Sequence, residues 1–159
     1  MDAETPQTNR LQLSDELRAR LVAWARAAAP HEACGLLLGR CGERAEVEHV
    51  RLARNVATDA QHAFEVHPED HLAFALEAER LGLDVVGAWH SHPRGEAKPS
   101  ATDRAAAWDG WLHAIVGRDA RGGFELRVWR VRGDAWTEVA RSTAANERGA
   151  REWSDRLDP

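Results

Sequence analysis

The run Asp84 to His90 (DVVGAWH) is apolar apart from its ends and too short for a typical helix, so it predicts a buried strand. It passes directly into Ser91-His92-Pro93 and a polar loop that ends at Pro99. Side chains alternate along a strand, so His90 and His92 project from one face while Trp89 turns to the other, into the core. A second apolar run, Ala33 to Gly39 (ACGLLLG), ends on glycine and reads as another buried strand.

Amphipathic segments surround these runs. Leu17, Leu21, Val22, Trp24 and Ala28 recur at helical spacing over residues 14–29, with Ser14 as N-cap and Pro30 as stop. After His67-Pro68, the residues Leu72, Ala75, Leu76 and Leu81 outline a second helix closed by Gly82. Ser100 opens a third, with Asp103 three residues on in a capping-box position. Residues 45–52 predict a half-exposed strand and residues 64–66 a short one. Residues 112–116, 124–131 and 135–139 predict closing strands, with turns at Gly122-Gly123 and Gly133-Asp134. The order is mixed α/β, α+β-like, in one layered domain over residues 11–140. Residues 1–10 are expected as a flexible lead-in and 141–159 as a charged tail.

Composition narrows the function classes. A length of 159 residues suits one domain, and 43% hydrophobic with 30% charged residues suits a packed one. The net charge of −5 lacks the basic footprint of a nucleic-acid binder. No stretch is long and apolar enough to cross a bilayer, and MDAETPQTNR has no apolar signal core. Two cysteines, Cys34 and Cys41, are too few for a disulfide scaffold. A cytoplasmic location is the expectation.

Imidazole is a common zinc ligand, and two at a strand exit supply two corners of a tetrahedron at a cleft mouth. Asp103, brought back on the next helix, can supply a third and leave one position open to water. Taken singly, each residue has a plainer explanation. Paired strand histidines are often surface polarity, Asp103 suits a helix's first turn, and Ser100 suits an N-cap. The combination H-S-H-P, six residues, S-x-x-D is far more specific. It resembles the metal-binding signature of the JAMM (MPN-plus) metallopeptidases. The setting of Glu32 in Pro30–Gly39 (PHEACGLLLG) resembles that family's upstream glutamate. The segments Asn55-Val56-Ala57, Phe64-Glu65-Val66 and Asp84–Gly87 are similar to its small bacterial members.

The resemblance implies a single MPN/JAMM, cytidine-deaminase-like domain: a curved, mainly antiparallel sheet flanked by helices. It implies Zn2+ held by His90, His92 and Asp103, with Glu32 as general base and Ser100 assisting at the oxyanion. The implied reaction is hydrolysis of an amide or isopeptide bond after the C-terminal Gly-Gly of a ubiquitin-like or sulfur-carrier protein, with no covalent intermediate. The alternatives are an MPN scaffold without catalysis and a small-peptide metallohydrolase without carrier recognition. Other histidines are weaker candidates. His67 and His71 straddle a helix entry without the H-E-x-x-H pattern, and His31, His49, His62 and His113 have no partner at ligand spacing.

Overall fold

A computed structural model of the protein describes residues 10–42 and 44–142. The expected lead-in and tail lie outside them, except at Arg10 and at residues 141–142. The elements are β1 (Arg10–Gln12), α1 (Asp15–Ala28), β2 (Cys34–Cys41), β3 (Ala45–Ala53), α2 (Pro68–Arg80) and β4 (Asp84–Ser91). There follow α3 (Ala101–Ala106), β5 (Leu112–Arg118), β6 (Phe124–Arg132), β7 (Ala135–Glu138) and β8 (Ala140–Ser142).

All eight of these strands join one sheet in the order β7-β6-β5-β4-β2-β3-β1-β8. Strands β7 and β8 lie at opposite edges, yet only Val139 separates them in the chain. The sheet must therefore curl until its ends approach. Val139 is buried at that seam, its N–H donating to the Val128 carbonyl at 2.8 Å. The pairings β2–β3, β2–β4, β5–β6 and β6–β7 are antiparallel. Parallel pairings join β4 to β5 and β1 to both β3 and β8. Parallel neighbours cannot be joined by a tight turn, so the chain leaves β4, crosses over through α3 and returns as β5. The end of β4 thus opens beside a crossover.

Helix α1 starts at Ser14, whose hydroxyl accepts the Leu17 N–H at 3.2 Å, as its sequence predicts. It buries Leu17, Leu21 and Ala25 against β3, β5 and β6. Trp89 is fully buried in the same core, stacks on Trp24 at 5.8 Å and donates its indole N–H to the Arg51 carbonyl at 2.9 Å. Gly35 leaves room for that bond, since a Cβ there would lie 2.4 Å from the indole nitrogen and closer still to the Arg51 carbonyl. Leu37 packs with the α1 cluster and Leu38 with the α2 cluster, so the two helices cover opposite faces of the sheet.

The apolar face expected for α2 is corrected. Leu72, Leu76 and Leu81 are 62%, 57% and 43% exposed, while Ala78 is buried and Phe74 half-buried against the sheet. Two apolar stripes share helical spacing here, and periodicity alone does not choose between them. Ion pairs choose: Arg51 with Glu77 and Arg54 with Asp70 tie α2 to β3 and its exit, and small Ala78 allows close approach. The short strand expected at 64–66 is reduced to one bridge, Asn55 to Val66. Cys34 and Cys41 are both free; Cys34 is buried, and Cys41 ends β2.

Candidate metal centre

Burial of β4 carries His90 to the end of the strand, where it is only 1% exposed and stacks on Phe64 at 4.3 Å. The Ser91 hydroxyl accepts the Ala33 N–H at 2.8 Å, and Ser91 N–H donates to the Ala33 carbonyl at 3.0 Å. This pair of hydrogen bonds pins the start of β2, and with it Glu32, beside the histidines. His92 follows the strand and donates its N–H to the Val116 carbonyl on β5 at 2.8 Å. The next turn folds onto β5, where the Arg118 N–H meets the Gly95 carbonyl at 2.7 Å. Gly117 permits that contact, because a Cβ there would sit 2.3 Å from the Ala97 nitrogen. The turn presents the Glu96 carbonyl to His92 Nδ1 at 2.8 Å. A carbonyl only accepts, so Nδ1 donates to it, which fixes the ring and leaves Nε2 facing Asp103.

Ser100 caps α3 as its sequence predicts. Its hydroxyl accepts the Asp103 N–H at 3.1 Å, and Asp103 Oδ2 accepts the Ser100 N–H at 2.8 Å. This capping box turns the Asp103 carboxylate back toward β4. Its Oδ1 lies 3.2 Å from His90 Nε2 and its Oδ2 3.2 Å from His92 Nε2, while the two Nε2 atoms are 3.0 Å apart. One ligand atom from each residue falls within 4.8 Å of the others, the one such group among the described residues.

The electrostatics match a cation site. Burial lowers the His90 pKa, overcoming Asp103, so this imidazole is neutral. At His92 burial also pulls the pKa down, but the bonds to Asp103 and the Glu96 carbonyl outweigh it and raise the net value. Burial would raise Asp103, yet hydrogen bonds from both histidines hold it well below the usual carboxylate range. Two imidazole nitrogens and an ionised carboxylate converging at these distances share little but affinity for a positive charge. The residues fit a divalent metal that takes nitrogen and oxygen ligands.

Glu32 is buried and its Oε2 has no hydrogen-bond partner. Desolvation raises its pKa from 4.5 to about 7, tempered by His92, and the charge of Asp103 adds to the rise. The structure thus brings Glu32, His90, His92, Ser100 and Asp103 to one end of β4. His67 instead caps α2, His71 lies against Trp108 and Trp111, and His62 pairs with Asp59 at 3.0 Å.

Several contributors escape sequence reasoning. His113 is buried on β5 and lines a cavity of about 40 Å³ with Phe64, His90, Thr102, Asp103 and Ala106. The strand pairing that brings it there, Ala88 opposite His113, leaves no local signal. The Glu96 carbonyl and Gly117 matter through backbone contacts that side-chain patterns do not encode. Asn55 sits in a segment already noted, but its hydrogen bonds are set by the tertiary fold.

Known proteins resemble this chain over most of its described length. Residues 14–132 match the family described as prokaryotic homologs of the JAB domain. Desampylase of Haloferax volcanii is 36% identical over 119 residues, covering 72% of this chain and 85% of its own. A probable TtuB-protein conjugate cleaving protease of Thermus thermophilus is 37% identical over 97 residues, 60% of each chain. A solution structure from Desulfitobacterium hafniense superposes with a TM-score of 0.74 at 27% identity, covering 84% of this chain and 92% of that one. One from Salinibacter ruber gives 0.60 at 29% identity, covering 82% and 90%. The chain belongs to the prokaryotic homologs of the JAB domain and is a JAMM-type hydrolase.

Proposed function

We propose that the protein is a zinc-dependent isopeptidase that cleaves the amide bond after the C-terminal Gly-Gly of a ubiquitin-like or sulfur-carrier protein. The observation that carries the reading is the convergence of His90, His92 and Asp103 beside the buried, unpartnered carboxylate of Glu32. The names of its relatives, desampylase and conjugate-cleaving protease, support the substrate class.

His90 Nε2, His92 Nε2 and the Asp103 carboxylate would hold the metal. When bound, zinc would supply Lewis acidity and lower the pKa of a water on it towards about 7. The Glu32 carboxylate takes a proton from the attacking water as the new C–O bond forms. It returns that proton to the departing nitrogen as the C–N bond breaks. Negative charge collects meanwhile on the scissile carbonyl oxygen. Ser100 serves there without giving up its cap: capping uses an Oγ lone pair, so its O–H remains to donate to the oxyanion.

A Gly-Gly tail has no side chains and can bring its carbonyl close to a recessed site. Specificity then falls to the carrier body, whose remote contacts help position the scissile bond. The test compares a carrier adduct with its matching C-terminal peptide at equal zinc loading. Much faster cleavage of the adduct is expected. Equal efficiency on both leaves a small-peptide hydrolase, and cleavage of neither despite bound zinc leaves a scaffold.

A further inference from the structure

Glu32 has a buried carboxylate with no bond to hold Oε2, so its backbone must aim it. Both backbone polar groups of Glu32 are gripped by one segment, residues 55–66. The Glu32 N–H donates to the Ala60 carbonyl at 2.7 Å, and the Glu32 carbonyl accepts from Asn55 Nδ2 at 3.0 Å.

Asn55 organises the rest of that segment. Its Nδ2 also donates to the Ala63 carbonyl at 3.0 Å, and its Oδ1 accepts the N–H groups of Ala57 and Glu65, each at 3.0 Å. Two donors and two acceptor sites are all a side-chain amide offers, and all four are used. Ala63 and Glu65 flank Phe64, the ring stacked on His90. One side chain therefore bonds the residue that carries the base and both neighbours of the ring that backs a metal ligand. Serine or alanine cannot make this set. Aspartate keeps the acceptors and loses both donors.

We propose that Asn55 is a positioning residue: it sets the placement of Glu32 relative to His90, acting through backbone hydrogen bonds rather than touching substrate. The inference rests on Glu32 being the base. A misplacement on the order of 1 Å costs about a hundredfold in rate when a reacting group is held too loosely. Asn55 reaches Glu32 through one of two backbone anchors, with Ala60 holding the other, so a smaller loss is expected.

The experiment measures single-turnover and steady-state cleavage of a carrier adduct by Asn55→Asp, Glu32→Gln and the double variant, with zinc content and melting followed for each. Asn55→Asp should keep wild-type zinc and lose about tenfold or more in kcat with KM nearly unchanged. In the Glu32→Gln background the same change should cost almost nothing further, because the group it places is gone. Equal losses in both backgrounds would mean a structural role and overturn the inference, as would a wild-type rate for Asn55→Asp beside an inactive Glu32→Gln. A wild-type rate for Glu32→Gln would instead remove the base itself, and the positioning role with it. If Asn55→Asp lowers the melting point sharply, Asn55→Ser at reduced temperature gives the same comparison, read by the same two outcomes.

Discussion

Replacing Glu32 with glutamine should make the metal-free protein more stable while abolishing its activity. Burial raises the Glu32 pKa from 4.5 to about 7, so between those values the folded state binds a proton that the unfolded state has released. Stability therefore falls as pH rises from about 4.5 through about 7, and the full cost is present above that. A shift of that size corresponds to about 3 kcal/mol, and solvent screening reduces it to about 1–2 kcal/mol. Glutamine has a similar shape and no charge, so Glu32→Gln should recover that amount at pH 8 and almost nothing at pH 4.5. Urea unfolding of chelator-treated wild type and variant across that range reads the difference directly, with unchanged m-values as the check on two-state behaviour. The metal is removed because its charge would favour the carboxylate and hide the effect. A stability difference that is constant with pH, or a variant less stable at pH 8, would refute a strained, desolvated base at this position. Turnover should meanwhile fall by about a hundredfold or more in the zinc-loaded variant.

Asp103→Ala should lose most of its bound metal, since two imidazoles make a weaker site; wild-type-like metal by elemental analysis would remove Asp103 from the ligand set. Ser100→Ala should cost about 1 kcal/mol of stability through the lost cap, and roughly 10²–10³ in kcat through the oxyanion. Melts and kinetics on that variant separate the two roles, and an unchanged kcat would leave Ser100 as a cap alone. His113 is pulled down to about 4, first by burial and then by His90, so the unfolded chain binds its proton at higher pH. Stability is lost as pH falls from about 6.5 through about 4, by up to about 3 kcal/mol, and His113→Phe should flatten that slope. An unaltered slope would place the acid sensitivity elsewhere.

Much of this protein can be read from local pattern. The helix from Ser14, the buried strands ending at Gly39 and His90, and the capping box of Ser100 with Asp103 depend on neighbours within a few residues. Their physics is complete in a short window. Two strands with no such window were missed. β1 and β8 are three residues each, and they exist because they pair with each other and β1 with β3. The face of α2 was misassigned for a related reason: Leu72 with Leu76 and Phe74 with Ala78 have equivalent spacing. The ion pairs from Arg51 and Arg54, together with the close approach that Ala78 allows, turn one stripe to the sheet.

At the site the division falls in the same place. The sequence marks His90, His92 and Asp103 as candidate ligands by type and spacing, because a short strand and a short helix leave them few ways to diverge, while Glu32 enters only through the family resemblance. The tertiary structure decided what those groups are. The Glu96 carbonyl fixes the His92 ring, the pairing of β4 with β5 brings His113 behind His90, and Asn55 joins Glu32 to the ring against His90. Desolvation of Glu32 likewise has no sequence signature, since it is the sum of everything packed around one carboxylate. Residue identity determines which chemistry is available, while burial and long-range backbone contacts determine protonation and aim.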